Sequence, residues 1–174
     1  MNDTELVDKI NSKKAKIGII GMGYVGVPLG IEFANNGLEV IGFDTDNEKV
    51  KNINSGKQIM KHISQESMRK FIDNGSKATA NFGELKNVNC ILICVPTPLD
   101  VYEQPDMSYV KKATKTISKN LKKGQLVILE STTYPGTTKE IIKPILEESG
   151  LSAGKDFFLA YSPEREDPGN KDFS

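Results

Sequence analysis

The chain has 174 residues, of which 37% are hydrophobic and 26% charged, the composition of a globular domain that buries roughly 70% of its unfolded surface. Acidic and basic residues balance at 23 each, so no global charge predicts binding to nucleic acid or to an anionic membrane. No stretch approaches the roughly 18 apolar residues of a membrane span, and the polar opening MNDTELVDKI is unlike a secretory signal, which predicts a cytoplasmic protein.

Strands and helices alternate along the chain from residue 16 onward. The segments with the pattern of strands are 16–20, 39–43, a weak 77–81, 89–95, 125–129 and 157–161. The segments with the pattern of helices are 24–36, 47–54, 65–73, 108–122 and 138–148. This alternation predicts an α/β domain over residues 16–174, with a doubly wound, mainly parallel six-stranded sheet of the Rossmann type and helices on both faces. Residues 1–15 form an N-terminal extension, for which a short extra helix is one option.

Residues at the ends of these segments support the boundaries. Asp46 is suited to cap the helix that follows it, Ser64 directly precedes the next predicted helix, and Gly37 suits the carboxyl end of the first helix. The run NCILICV is apolar on both faces, which is typical of a strand inside a parallel sheet that helices cover. Pro96 and Pro98 end that strand because proline has no amide to donate to a neighbouring strand.

The distinctive residues of the sequence all follow strands. The five loops concerned read GMGYVG, FDTD, VPTP, ESTTYPGTT and SPERED. In a parallel sheet every strand-to-helix loop emerges at the carboxyl edge, and ligands bind there. The sequence therefore predicts a single site at that edge.

The loop GMGYVG has the spacing of a dinucleotide-binding turn. Gly21 permits a tight turn, Gly23 lets a pyrophosphate approach the backbone, and Gly26 lets the helix pack close to the strand. Amides at the start of the helix then face the phosphates. The residues predicted to contact the dinucleotide in this loop are Gly21, Met22, Gly23, Tyr24, Val25 and Gly26.

An acidic residue follows the second strand. Asp44 stands 23 residues after Gly21, close to the roughly 20 that the motif requires. Its carboxylate can accept hydrogen bonds from ribose hydroxyls and repels a 2′-phosphate, which favours NAD over NADP. Lys49 could weaken this preference for NAD, although it is predicted to lie on the adenosine side of this site or in solvent. If the glycine loop binds no ligand, the alternative is that Asp44 is a solvated turn residue without a binding role.

The loops after the fourth and fifth strands are predicted to meet the nicotinamide half of the cofactor. Val95 and Thr97 lie in the first of these loops, and Thr132 and Thr133 lie in the second. The prolines on either side of Thr97 hold its backbone extended. Helix capping is the simpler interpretation of these threonines, and we accept it for Thr137 but not for all of them.

A carboxylate is also expected at this edge after the last strand. Glu164 lies there in YSPERED. On spacing alone, a solvated loop acid paired with Arg165 is an equal alternative.

The cysteines and the histidine predict no further site. Cys90 and Cys94 are three residues apart in an apolar run, which lacks the CxxC spacing and predicts core packing. A buried strand is also the wrong setting for a reactive thiolate. His62 has no second histidine with which to share a metal ion, so we expect no metal site.

Together these stretches resemble the UDP-glucose/GDP-mannose dehydrogenase family, specifically its NAD-binding domain, along nearly the whole chain from Lys16. The motifs that carry the resemblance are GMGYVGVPL, FDTDNEKV, INSGK, CVPTPLD, PDMSYV, ESTTYPGTT and LAYSPEREDPGN. The last two motifs and VPTPL are most similar to the branch that oxidises UDP-N-acetylglucosamine at C6. Enzymes acting on UDP-N-acetylmannosamine or UDP-glucose are the alternatives.

The resemblance implies a reaction and several residue roles. In the family a C6 alcohol is oxidised to a carboxylate by two NAD molecules, through an aldehyde that a cysteine thiolate traps, and the product is expected to serve surface polysaccharide synthesis. By motif position, Thr133 helps to hold the catalytic water and the nicotinamide, and Glu164 is the general base or water activator. Arg165 departs from the apolar residue of UDP-glucose enzymes and is interpreted as a contact to a different sugar or to its phosphates.

The resemblance also implies what this chain lacks. The family's nucleophilic cysteine, catalytic lysine, central helix and substrate-binding domain lie downstream of the region matched by residues 16–174. We therefore expect the chain to bind NAD weakly and not to oxidise a UDP-sugar unaided. Full-length members of the family are homo-oligomers.

Two competing interpretations remain. S-adenosylmethionine methyltransferases also join a glycine-rich loop to an acid after the second strand. They usually carry a further acid just before the glycines, where this chain has Ile20, and they have no use for a threonine–proline edge. The non-enzymatic alternative is a domain that binds NAD without catalysing a reaction.

Overall fold

The computed structural model describes residues 3–163, which are built around one six-stranded sheet. Its strands are β1 (Lys16–Ile20), β2 (Glu39–Phe43), β3 (Lys77–Thr79), β4 (Cys90–Ile93), β5 (Leu126–Leu129) and β6 (Phe158–Tyr161). All neighbouring strands are parallel, in the order β3-β2-β1-β4-β5-β6. The predicted doubly wound α/β fold is confirmed, and the strand order reverses between β1 and β4, where such folds bind their ligands.

Helices cover both faces of the sheet. They are α1 (Asp3–Asn11), α2 (Gly26–Asn35), α3 (Asn47–Asn54), α4 (Gln65–Asp73), α5 (Ser108–Ser118) and α6 (Lys143–Glu147), with a 3₁₀ helix at Phe82–Asn87 and a π-helical segment at Thr137–Ile142. Helices α1 to α4 pack on one face, and α5, α6 and the 3₁₀ helix pack on the other. None of the helices within residues 3–163 is long and apolar enough to cross a bilayer.

The central strand β4 explains why its sequence reads as one continuous apolar run. Cys90 and Leu92 enter the core on the face of α1 to α4, whereas Ile91 and Ile93 enter the core on the opposite face. All four residues are buried. A strand that is covered on both sides has no solvent-facing position, so the polar alternation of a half-exposed strand is absent.

The capping predictions are confirmed. The carboxylate of Asp46 accepts hydrogen bonds from two amides of the first turn of α3, at 2.9 and 3.1 Å. The hydroxyl of Ser64 accepts one from the amide of Ser67 at 3.0 Å. Gly37 follows the end of α2 with a φ of 82°. These contacts fix where α2, α3 and α4 begin or end.

Several predicted boundaries are wrong. The first predicted helix begins at Gly26 rather than at residue 24, because the preceding residues form the glycine turn. The helix predicted to reach residue 122 ends at Ser118, where the chain turns and packs Leu121 against the core. The helix predicted over 138–148 starts as a π-helical segment. Thr137 does not cap it, since Gly136 holds the cap position and the Thr137 hydroxyl instead donates to the Tyr134 carbonyl at 2.8 Å.

The N-terminal extension is helical and packed. Leu6, on α1, is 4% exposed and joins the core formed by α2 and α4, and Ala15 is buried in the same core just before β1. Hydrophobic burial of these side chains therefore attaches residues 3–15 to the domain.

Candidate functional site

A cleft of about 720 Å³ opens at the carboxyl edge of the sheet. The loops after β1, β2, β4 and β5 form its walls. Nine residues predicted from the sequence line it: Gly21, Gly23, Tyr24, Val25, Asp44, Lys49, Val95, Thr97 and Thr132. Its volume lies within the roughly 300–1,000 Å³ of small-molecule and cofactor sites.

The glycine turn is shaped by close backbone contacts. Gly21 has a φ of 96°, and a Cβ on it would lie 2.6 Å from the carbonyl oxygen of Cys94 at the end of β4. A Cβ on Gly26 would overlap the carbonyl oxygen of Gly21, so α2 starts directly against the turn. A Cβ on Gly23 would meet nothing within 4 Å. Gly21 and Gly26 are thus required by packing, whereas Gly23 leaves open space that a ligand can enter.

Four backbone amides of the glycine turn lie beside this open space. The backbone N–H groups of Gly23, Tyr24, Val25 and Gly26 donate no hydrogen bond to any residue that the structure describes, and α2 has no side-chain cap. Three of these four residues line the cleft. Free amides and the positive end of the helix dipole together favour an anion such as a phosphate.

Met22 supports the turn from below. Its side chain is 1% exposed and fills the space above Gly42 in β2, where a Cβ would collide with its sulfur. Its amide donates to the Asp44 carboxylate at 3.1 Å. Met22 and Gly26 do not line the cleft. They shape it through backbone contacts, Met22 with Asp44 and Gly26 with Gly21.

The carboxylate of Asp44 is held at the edge of the cleft by three donors. Its Oδ2 atom accepts the Met22 amide at 3.1 Å and the ammonium of Lys49 at 2.7 Å, and its Oδ1 atom accepts the Asp46 amide at 3.0 Å. The residue is 9% exposed. Each carboxylate oxygen has about two acceptor sites, so one site on Oδ1 remains for a ligand hydroxyl while Lys49 stays paired.

The loops after β4 and β5 are joined by hydroxyl groups. The Thr97 hydroxyl donates to the carbonyl of Thr132 at 2.8 Å, and the hydroxyl of Ser131 lies 2.8 Å from the carbonyl of Val95. All four residues line the cleft. Thr133 is half-buried and does not line it.

Two predicted site residues cannot be placed. Glu164 and Arg165 lie outside the described residues. Tyr161 is the last residue of β6 and pairs with Leu129, so β6 ends at the same edge of the sheet as the strands whose loops form the cleft.

Sequence reasoning missed the lining residues from the segment after β3 and from α5. Phe82 lines the cleft, with its ring 5.7 Å from that of Phe43 and tilted by 33°. Tyr109, Lys112 and Thr116 line the cleft from one face of α5. Their spacing of three and four residues was available as a signal once the helix is known to begin at Ser108, whereas no motif marks Phe82. Apolar rings beside a helix suit a planar aromatic group.

Glu130 and Ser131 were also missed. Both are buried, at 8% and 7% exposure, and both line the cleft where β5 ends. Their place at the carboxyl end of a central strand was the available signal, but the threonines that follow form the more conspicuous pattern.

Cys90 and Cys94 are buried thiols outside any disulfide, and of the two only Cys94 lines the cleft. Burial raises the pKa of the Cys90 thiol to about 11. A thiol in this state is a poor nucleophile at neutral pH, because the thiolate is the reactive form. Core packing, as predicted, accounts for Cys90.

We predict that Cys90 resists alkylation in the folded protein. At pH 8 iodoacetamide should modify it at least roughly a hundredfold more slowly than after unfolding in guanidinium, because an exposed cysteine has a pKa of about 8.5. Mass spectrometry with fragmentation separates Cys90 from Cys94. Similar rates in the folded and unfolded protein would contradict this assignment.

His62 packs on the glycine loop. Its ring centroid lies 6.3 Å from that of Tyr24, with 19° between the ring planes, and both side chains are exposed. Across residues 3–163, no three His, Cys, Asp or Glu side chains converge on a point that could hold a metal ion.

A glycine turn with unpaired amides, an acid at the end of β2, and the strand order 3-2-1-4-5-6 together define a dinucleotide-binding domain. Residues 15–173 match the NAD-binding domain of the UDP-glucose/GDP-mannose dehydrogenase family. The chain belongs to this family, as its motifs predicted, and the cofactor of the matching domain is NAD.

Individual relatives agree with this assignment. The UDP-N-acetyl-D-glucosamine 6-dehydrogenases of Salmonella typhi and Pseudomonas aeruginosa are each 39% identical to the chain, over 159 and 161 residues. The matches cover 91% and 92% of this chain and 37% of each relative. A solved UDP-D-ManNAc dehydrogenase from Pyrococcus horikoshii has a TM-score of 0.82 at 39% identity, covering 88% of this chain and 37% of that one. The chain therefore spans little more than a third of the length of these relatives.

Proposed function

We propose that the cleft binds NAD in an extended form, as the cofactor domain of a UDP-sugar 6-dehydrogenase. The observation that carries the proposal is that Gly23, Tyr24 and Val25, whose amides find no acceptor among the described residues, and the Asp44 carboxylate lie on the walls of one cleft. Amides at a helix start bind a pyrophosphate, and a carboxylate after the neighbouring strand binds ribose hydroxyls. The two groups together match the two polar parts of an adenine dinucleotide.

The remaining parts of the cofactor follow from this placement. The adenine would lie beside Phe82 and α5, and the nicotinamide would lie against Val95, Thr97 and Thr132. NAD, when bound, supplies the hydride acceptor, which is its nicotinamide ring. The residues of this chain bind it, orient it and exclude water from one of its faces.

We further propose UDP-N-acetylglucosamine as the substrate of the whole protein, oxidised at C6 to the acid. The support is the 39% identity to two enzymes that carry that name. UDP-N-acetylmannosamine is the second candidate, supported by the 39% identity to the Pyrococcus horikoshii structure. By motif position, Thr133 would hold the catalytic water, Glu164 would act as the base, and Arg165 would contact the sugar or its phosphates.

The covalent part of the family reaction needs a reactive thiolate. Cys90 and Cys94 are buried, so among the described residues neither is suited to attack an aldehyde. We therefore propose that these 174 residues bind the cofactor without oxidising a UDP-sugar unaided. A homo-oligomeric whole protein in the cytoplasm completes the proposal.

A thermal-shift comparison of ligands tests the proposed cofactor. At 100 times its dissociation constant, NAD should stabilise the domain by about 2.7 kcal/mol, which raises the melting temperature by roughly 5–10 °C. NADP should give a smaller shift, because its 2′-phosphate meets Asp44. Stabilisation by S-adenosylmethionine but not by NAD would instead support the methyltransferase interpretation.

An absorbance assay at 340 nm tests the second part. The chain should form no NADH with UDP-N-acetylglucosamine or UDP-N-acetylmannosamine, at protein concentrations at which NAD binding is saturated. Rapid NADH formation with either sugar nucleotide would refute the proposal that the chain lacks a usable nucleophile.

A further inference from the structure

The contact between the loops after β4 and β5 continues beyond the backbone hydrogen bonds of the sheet. The parallel pairing of these strands ends at Ile93 and Leu129, and the amides of Glu130 and Ser131 both donate to the Ile93 carbonyl at 3.0 Å. Beyond that point the strands are linked by side chains. The Ser131 hydroxyl reaches from β5 to β4, and the Thr97 hydroxyl reaches back from β4 to β5.

The Thr97 hydroxyl supplies a donor in a loop where the sequence removes backbone donors. Pro96 and Pro98 have no N–H, so the β4 loop cannot extend the ladder with backbone amides at those positions. The Thr97 hydroxyl instead donates to the Thr132 carbonyl at 2.8 Å. The Ser131 hydroxyl lies 2.8 Å from the Val95 carbonyl and 3.1 Å from that of Ile93, and can share its proton between them.

The two bonds hold a continuous part of the cleft wall. Val95, Thr97, Ser131 and Thr132 all line the cleft. The same β4 exit is also packed against the glycine turn, because the Cys94 carbonyl fills the space beside Gly21. A shift of the loop after β4 would therefore disturb both the wall formed with the β5 loop and the glycine turn.

We infer that Ser131 and Thr97 are positioning residues that hold the nicotinamide end of the cleft in shape before the cofactor arrives. This inference rests on the proposed function. Each hydroxyl proton is already engaged by a backbone carbonyl, so neither side chain has a donor left for the ligand. Their effect on the cofactor is exerted through Val95 and Thr132, whose backbone they fix.

The test compares two ligands that differ only at the affected end. ADP-ribose has the adenosine, pyrophosphate and second ribose of NAD but lacks the nicotinamide ring. In isothermal titration calorimetry, Thr97→Val and Ser131→Ala should weaken NAD binding by about tenfold and ADP-ribose binding by less than about twofold. Thr97→Ser keeps the donor and should restore the affinity for NAD.

A matched control separates positioning from general stability. Thr114 is fully buried on α5, outside the cleft, and its hydroxyl donates to the Val110 carbonyl at 2.7 Å. Thr114→Val removes a comparable hydrogen bond and should lower the melting temperature while both affinities stay unchanged. If Ser131→Ala does not fold, Thr97→Val decides the question, because Thr97 lies in a more exposed loop.

Three outcomes would overturn the inference. Equal weakening of NAD and ADP-ribose in Thr97→Val would show a general effect on the cleft. Equal affinities of the two ligands for the unchanged protein would show that the nicotinamide end contributes nothing, although the proposed function would stand. Binding of neither ligand to the unchanged protein would end the proposed function and the inference together.

Discussion

Gly21→Ala will lower the melting temperature of the domain by roughly 10 °C, which corresponds to about 3 kcal/mol in the free energy of unfolding. Two effects add at this position. Alanine is strained at a φ of 96°, and its Cβ would stand 2.6 Å from the Cys94 carbonyl oxygen and 3.2 Å from the Cα of Val95. All of the opposing atoms belong to backbone, so no side-chain rotation can relieve the contact. Differential scanning calorimetry measures the loss directly.

Two further glycines serve as controls. Gly75 has a φ of 90°, and a methyl group added to it would meet nothing within 4 Å, so Gly75→Ala reports the strain of the backbone alone. Gly23→Ala also meets no neighbour and lacks the positive φ, so it should fold normally yet lose NAD affinity, because its methyl group enters the space proposed for the pyrophosphate. If Gly21→Ala is no less stable than Gly75→Ala, the close approach of β1 and β4 is not a constraint on this turn.

Asp44→Asn will weaken NAD binding by at least about tenfold and narrow the preference for NAD over NADP by a similar factor. A hydrogen bond to a charged group contributes roughly 1.5–3 kcal/mol, and the amide removes the charge that repels a 2′-phosphate. Lys49, released from its 2.7 Å pair with Asp44, would then be available to that phosphate. Calorimetric titration with both cofactors measures the ratio.

The neighbouring Asp46→Asn is the matched control. Asparagine caps a helix as well as aspartate does, and Asp46 does not line the cleft. Asp46→Asn therefore removes one negative charge two residues from Asp44 while the cleft lining stays the same. Lys49→Met tests the opposite direction and should widen the preference for NAD. An unchanged ratio of the two affinities in Asp44→Asn would show that this carboxylate does not read the ribose.

The elements that the sequence predicted well are those specified by local chemistry. The strands were visible as apolar runs because β4 is buried on both faces, and the caps at Asp46 and Ser64 act within four residues of their own position. The glycine turn was also predictable, since the demand for glycine at Gly21 arises from its φ as well as from its neighbours.

The features that were missed depend on contacts between distant segments. The ion pair of Lys49 and Asp44 requires α3 to start at a particular angle after β2, and the pairing of Phe82 with Phe43 requires the chain after β3 to fold back over β2. The π-helical start after Gly136 reflects one extra residue per turn, which periodicity over so short a segment does not reveal. Ser131 was overlooked because its bonds go to the backbone of another strand.

The four N–H groups of the glycine turn that find no acceptor within residues 3–163 have a practical consequence for any affinity measurement. Water occupies such donors weakly, and a tetrahedral oxyanion in the buffer is a better substitute. Sulfate or inorganic phosphate should therefore compete with the dinucleotide, so that dissociation constants measured in those salts will appear weaker than in chloride at equal ionic strength. Titrations of the wild-type domain and its variants are comparable only in one and the same anion.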